Sequence, residues 1–226
     1  MKKITFIGLG VMGFPMAGHL SNNGYKVTVY NRSEEKSKLW IKKYAGNYST
    51  SVSEAVADSD IVFSCVGNDS DLRDITLGHD KAFSGMKAGS VFVDHTTTSS
   101  DIAIELSEIA KKYSIHFLDA PVSGGEVGAL KGELTVMIGG ENLIFDRIYS
   151  IIRAYAKNIT LIGGPGKGQL AKMVNQICIA GLIQALSEAI SFSEKSGLDT
   201  KKVLGAISQG AAGSWQLTNR GETMVD

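Results

Sequence analysis

The chain has 226 residues, and its 23 basic and 23 acidic side chains cancel to a formal net charge of zero. That balance, with no basic cluster, argues against nucleic acid or an anionic membrane surface as a partner. With 43% hydrophobic residues it can bury one sizeable core or two modest ones, yet its longest apolar runs, such as 177–183, fall far short of the ~20 residues of a membrane span.

The first element is the run Phe6-Ile-Gly-Leu-Gly-Val-Met-Gly-Phe-Pro-Met-Ala17. Its apolar character near the N-terminus resembles a secretory h-region. Glycines at 8, 10 and 13, Pro15 behind them and His19 at the cleavage position disqualify it. The alternative is a strand over 3–8, a glycine turn and a helix over 12–23. From there short β-rich runs at 26–30, 61–66, 90–94, 116–119, 134–138 and 159–162 alternate with helical patterns at 34–44, 70–76, 100–113 and 143–155. Nearly continuous apolar strands separated by helices predict a mostly parallel, Rossmann-like α/β sheet with helices on both faces. Ligands then sit at the carboxyl ends of the strands.

After Gly168 the pattern is purely helical, with a long helix predicted over 169–196 and a further one, capped by Asp199 or Thr200, to about 208. The expected division is therefore a dinucleotide-binding domain over 1–164 and the start of an all-α domain over 165–226. Cys65 and Cys178 both lie in apolar runs without Cys or His neighbours, so no metal site is expected. They read as reduced core residues of a cytoplasmic protein.

Gly8-x-Gly10-x-x-Gly13 between a strand and a helix fits the dinucleotide fingerprint. One glycine permits the turn, the next lets backbone approach a pyrophosphate, and the third lets helix and strand pack closely. The second strand ends in Asn31-Arg32-Ser33, where an NAD site usually carries a carboxylate. Arg32 and Ser33 can instead hold a 2′-phosphate, so NADP is expected over NAD. On the long helix, Gln169, Lys172, Asn175 and Gln176 share one face that turns apolar at Ile179, Leu182 and Ile183. A solvated face should not do this, and a polar pocket at the first two turns accounts for it. In such a pocket Lys172 could stabilise and protonate an oxygen that gains charge as hydride reaches its carbon.

These runs, with "VDHTTTSS" (93–100), "LDAPVSGGEVGALKGELTVMIGG" (118–140) and "GKGQLAKMVNQ" (166–176), occur in order across essentially the whole chain. Together they resemble the β-hydroxyacid dehydrogenase family, which includes 3-hydroxyisobutyrate dehydrogenase and tartronate semialdehyde reductase. The resemblance implies cofactor contacts from Gly8, Leu9, Gly10, Val11, Met12 and Gly13, from the loop Val66-Gly67 with Asp71 beyond, and from Thr97. It puts Thr96 close to the substrate and gives the substrate carboxylate to the turn Ser123-Gly124-Gly125, whose successive N–H groups suit an anion. It makes Lys172 the catalytic residue and Asn175 a substrate-orienting one, while His95 reads as a packed or surface histidine and not a base. The family usually shows Leu-Pro where this chain has Val66-Gly67.

Members of the family continue for several more helices, so the chain reads as C-terminally truncated relative to them. A homo-oligomer, dimer or tetramer, is expected of the full-length form. The implied activity interconverts a short β-hydroxyacid and its semialdehyde, both small molecules, with NADP preferred or NAD. Two alternatives remain: a catalytically impaired NADPH-binding fragment, and a 6-phosphogluconate dehydrogenase-like enzyme. Imine reductases, also related, tend to replace the lysine, and Lys172 counts against them.

Overall fold

The computed structural model describes residues 2–225. They form two compact units, which divide between Lys172 and Met173.

The first unit is a nine-stranded sheet. Its strands are β1 (Lys3–Ile7), β2 (Lys26–Tyr30), β3 (Asn47–Tyr48), β4 (Ile61–Ser64), β5 (Val91–Asp94), β6 (His116–Asp119), β7 (Val122–Ser123), β8 (Leu134–Gly139) and β9 (Ala156–Gly163). They lie in the order β3-β2-β1-β4-β5-β6-β8-β7, with β9 pairing β8. The pairs from β3 to β6 are parallel and in simple register, for example Phe6 against Val29 and Phe63. β8 runs antiparallel to β6 and β7, and parallel to β9.

Alternation along each strand sends side chains to two faces, and helices cover both. Ile4, Phe6, Phe63, Val93 and Ile138 join one core with α1 (Gly13–Asn22), α2 (Glu34–Lys43) and α8 (Asn142–Ile152). Ile7, Val62 and Phe92 join the other with α3 (Val52–Val56), α4 (Asp69–Thr76), α5 (Ala82–Gly85) and α6 (Ser100–Lys112). The helix α7 (Gly125–Lys131) lies between β7 and β8 in the chain. Every strand expected from the sequence is present, as are its longer helices. The short pieces β3, β7, α3, α5 and α7 were not expected, because two to seven residues carry too little periodicity to register. β9 starts earlier than expected and alternates between exposed and partly covered residues, so it is not a strand buried on both faces.

The helix α9 (Lys167–Lys195) crosses the division, and α10 (Thr200–Ile207) and α11 (Trp215–Val225) follow it. Asp199 is the N-cap of α10, accepting from the Lys202 N–H at 3.2 Å. In the second unit Leu186, Ile190, Leu204 and Leu217 form a small buried cluster. The compact first unit extends beyond residue 164, because the first turn of α9 is bonded to β6. Asp119 Oδ1 accepts from the Gly166 N–H at 2.8 Å and its Oδ2 from the Gln169 N–H at 2.9 Å.

Cys178 corrects the sequence reading: it is exposed and not a core residue, whereas Cys65 is largely covered, and both are free thiols. By length and composition α9 as a whole is apolar enough to cross a bilayer, although its uninterrupted apolar runs are short. Core helices of water-soluble proteins pass the same test, so this is a weak sign of a membrane.

Candidate active site

The three glycines of the β1–α1 turn have different physical duties. Gly8 has φ +94°, and a Cβ there would lie 2.2 Å from the Cys65 carbonyl oxygen, so the turn could not pass β4 with any side chain. A Cβ on Gly13 would lie 2.0 Å from the Gly8 carbonyl oxygen, which fixes α1 against the turn. Gly10 has open space around the position of a Cβ, so nothing in the protein requires glycine there. An outside group that must approach the backbone does require it. No side chain caps α1 and its first turn has no acidic residue, which leaves its N–H dipoles for an anion.

The turn opens on a cleft of about 560 Å³ lined by Gly8, Gly10, Asn31, Arg32, Ser33, Val66, Gly67 and Asp71, together with Lys36, Asp74 and Lys81. Residues remote in sequence thus meet where the fingerprint predicts a dinucleotide, and the cleft fits one. The Asn31 side chain is committed to the protein: Oδ1 accepts from the Leu9 N–H at 2.8 Å and Nδ2 donates to the Ser33 carbonyl at 3.0 Å. It holds the glycine turn in shape. Ser33 stands at the N-cap of α2, but its side chain makes no capping bond and remains exposed to the cleft.

Five expected cofactor contacts stand outside the cleft lining: Thr97, on the loop after β5, and four residues of the glycine turn. Leu9 is buried in the core, Met12 packs against that core, Gly13 is enclosed, and Val11 projects into solvent. Any contact from Leu9 or Gly13 therefore comes from backbone.

The absence of a carboxylate after β2 does not make the cleft free of acid. Asp71, from the first turn of α4, places Oδ1 3.4 Å from the Arg32 guanidinium, and Asp74 lines the same space. The Arg32 side chain is 90% exposed, so this pairing is loose and open to competition from a phosphate. A Cβ on Gly67 would meet only the Asp71 carboxylate, which could swing aside.

The loop after β5 is organised by Asp94, which is fully buried. Its Oδ1 accepts from Ser64 Oγ at 2.7 Å, from Thr96 Oγ1 at 2.6 Å and from the Thr96 N–H at 3.1 Å. Burial pushes the carboxyl up to about 7, although these three bonds favour the charged form. Thr96 Oγ1 in turn accepts from the Val66 N–H at 3.0 Å. The hydroxyl expected near the substrate is thus turned inward, where it joins the Val66 loop to β5. Thr97, its neighbour, is exposed and free to meet a ligand.

His95 is also buried. A carbonyl can only accept, so Nδ1 donates to the Ala120 oxygen at 2.7 Å and Nε2 accepts from Tyr155 OH at 2.8 Å. Burial holds its pKa down at about 4, so it is a neutral packing residue as the sequence implied.

Ser123, Gly124 and Gly125 form an accessible turn into α7. Gly124 and Gly125 have φ +129° and +61°, in the left-handed region that favours glycine. Lys172 is 8% exposed and has no hydrogen bond or ion pair among the described residues, and burial lowers its pKa. A largely covered lysine side chain with no partner is unusual in a merely structural position. Asn175, in the second unit, is half-buried and donates to Gln176 Oε1 at 3.0 Å.

Comparison with known proteins supports the fold and the use of a nicotinamide cofactor. Residues 3–163 match the family model for the NAD-binding domain of 6-phosphogluconate dehydrogenase, and 166–226 that for the NAD-binding region of NADP-dependent 3-hydroxyisobutyrate dehydrogenase. An uncharacterized oxidoreductase of Shewanella frigidimarina is 52% identical over 99% of this chain and 77% of its own length. The chain belongs to the β-hydroxyacid dehydrogenase family.

The 2-hydroxy-3-oxopropionate reductase of Escherichia coli is 35% identical over 99% of this chain and 76% of its own length. The solved 3-hydroxyisobutyrate dehydrogenase of Mycobacterium tuberculosis superposes with a TM-score of 0.88 at 28% identity, covering 97% of this chain and 74% of that one. The chain thus spans about three quarters of these relatives. It is an NAD(P)-dependent hydroxyacid dehydrogenase of the 3-hydroxyisobutyrate or tartronate semialdehyde type.

Sequence reasoning did not single out Asp94, Asp119 or Gln169 as members of the site. The first two did carry a signal, each being a carboxylate that ends an otherwise apolar strand. Gln169 was seen only as part of a polar stripe.

Proposed function

We propose that the protein reduces a short semialdehyde acid, or oxidises the matching β-hydroxyacid, with Lys172 as the acid and base. The observation that carries this reading is the buried, unpaired Lys172 at the start of α9. The nicotinamide cofactor, held by the glycine turn and the cleft beyond it, supplies or removes the hydride. In the reductive direction Lys172 gives its proton to the substrate oxygen. In the oxidative direction the neutral amine, favoured by burial, takes the hydroxyl proton. The turn Ser123-Gly124-Gly125 receives the substrate carboxylate, Asn175 orients the substrate, and Thr97 meets the cofactor. NADP is preferred over NAD through Arg32 and Ser33, and the enzyme acts in the cytoplasm as a homo-oligomer.

The test is nicotinamide absorbance with 3-hydroxyisobutyrate and 2-hydroxy-3-oxopropionate, scanned over pH. Oxidation should rise with pH to a plateau set by a group titrating below the usual lysine range. Lys172→Ala should abolish that limb. A limb that survives the substitution belongs to another residue and overturns the assignment.

A further inference from the structure

Gln169 is fully buried in the first turn of α9, and its main-chain N–H and both ends of its side-chain amide are engaged. Its N–H is bonded to Asp119 Oδ2 at 2.9 Å. Its Nε2 donates to the Thr96 carbonyl at 2.7 Å, and its Oε1 accepts from the Thr98 N–H at 3.1 Å. The amide therefore binds the backbone on either side of Thr97 as a neighbouring strand would, with the Thr97 side chain left facing outward. Thr96 is itself tied to Asp94 and to the Val66 N–H on the cofactor cleft. Lys172 follows Gln169 by three residues, close to one helical turn.

We infer that Gln169 is a positioning residue that fixes the start of the lysine helix against the loop carrying Thr97, and so sets the place of the proton donor relative to the bound cofactor. This rests on the reading of Lys172 as the acid and base. The glutamine has no surface to offer a substrate, so it acts through its neighbours. Glutamine suits the task because one planar amide must donate to one carbonyl and accept from one N–H. Glutamate cannot make the first bond, and asparagine is one methylene too short to reach both groups from the same helix position. Holding reacting groups in register carries much of an enzyme's rate, and a misplacement of about 1 Å can cost ~10²-fold.

The test is Gln169→Met, which keeps the length of the side chain and removes both bonds. Two readouts are taken on the whole chain. Without cofactor, amide hydrogen exchange at Thr98 should quicken while exchange in β1 and β4 is unchanged. With 2-hydroxy-3-oxopropionate and NADPH, kcat should fall by roughly 10–100-fold, with KM and the NADPH dissociation constant moving by less than about threefold. In a Lys172→Ala background the same substitution should add little, since two residues acting as one unit are non-additive.

Unchanged exchange at Thr98, or a kcat within twofold of wild type, overturns the inference. Losses of kcat and of both affinities in equal proportion also overturn it, because they mark a residue that only supports the fold. If Lys172→Ala keeps its rate, the reading of Lys172 fails, and the exchange result at Thr98 still reports on the clasp itself. Should Gln169→Met not fold, Gln169→Asn takes the same two measurements.

Discussion

The two units of the chain bury their residues very differently. In the sheet unit, Phe6, Phe63, Val93 and Ile138 on one face and Val62, Phe92 and Leu106 on the other are all without solvent exposure. In the helical unit the buried cluster is Leu186, Ile190, Leu204 and Leu217, while Ile177 is 73% exposed and Phe192 71%. A parallel sheet completes its core only when helices lie on both sides, and here they do. A helix that is apolar around its circumference needs neighbours on every side. Stability should therefore reside in the sheet unit, and the apolar face of α9 is the natural place for further contacts.

Phe63→Ala should produce the largest loss of stability. It removes a buried ring that packs against Phe6, His95 and Tyr155, at a cost of about 3–5 kcal/mol. Denaturant unfolding should show this in the transition of the sheet unit, and a cost below about 1 kcal/mol would mean that the comparison is drawn in the wrong place. Lys172→Ala, at the end of the same unit, should lower kcat by ~10²–10⁴ with NADPH binding intact by fluorescence. More than about a tenth of the wild-type rate, a loss well below that range, would assign the proton to another group.

Arg32→Ala should weaken NADPH binding by about tenfold and leave NADH nearly unaffected, because a good Arg–phosphate pair is lost. Asp71 beside Arg32 sharpens this test. Wild-type preference for NADH would show that the carboxylate outweighs the guanidinium in the cleft.

A smaller, pH-dependent effect belongs to Asp94. Its folded pKa, about 7, lies above the ordinary value of 3.8, so between those values the folded state holds a proton that the unfolded chain has lost. Its contribution is full below the lower value and is lost as pH rises to about 7. His95 has the opposite sign: with a folded pKa of about 4 it costs stability as pH falls below about 6.5. Asp94→Asn should therefore gain on wild type as pH rises from about 4 to 7 and then level off. A difference that stays constant with pH would place the Asp94 carboxyl in a more polar setting. The smallest effect is expected of Ile177→Ser in the helical unit, within about 0.5 kcal/mol if that face is open to water. A clear loss of stability, dependent on protein concentration, would show that a second copy covers it.

The sequence by itself determined what short-range chemistry dictates. The period of apolar residues marked each longer strand and helix, and Gly8, Gly10 and Gly13 marked the nucleotide turn, because tight turns and close backbone approach admit little else. The change from strands to helices near Gly168 was equally plain, as was the isolation of Lys172 on a face that turned apolar. Tertiary structure decided what depends on residues meeting from afar. It brought Asp71 from α4 to Arg32 after β2, turned the Thr96 hydroxyl inward to Asp94, and left Cys178 in the open. It also gave Gln169 its partners, on the loop after β5 and at the end of β6. Burial and hydrogen-bond partners are set by contacts between segments dozens of residues apart, and a local pattern carries no information about where such segments cross.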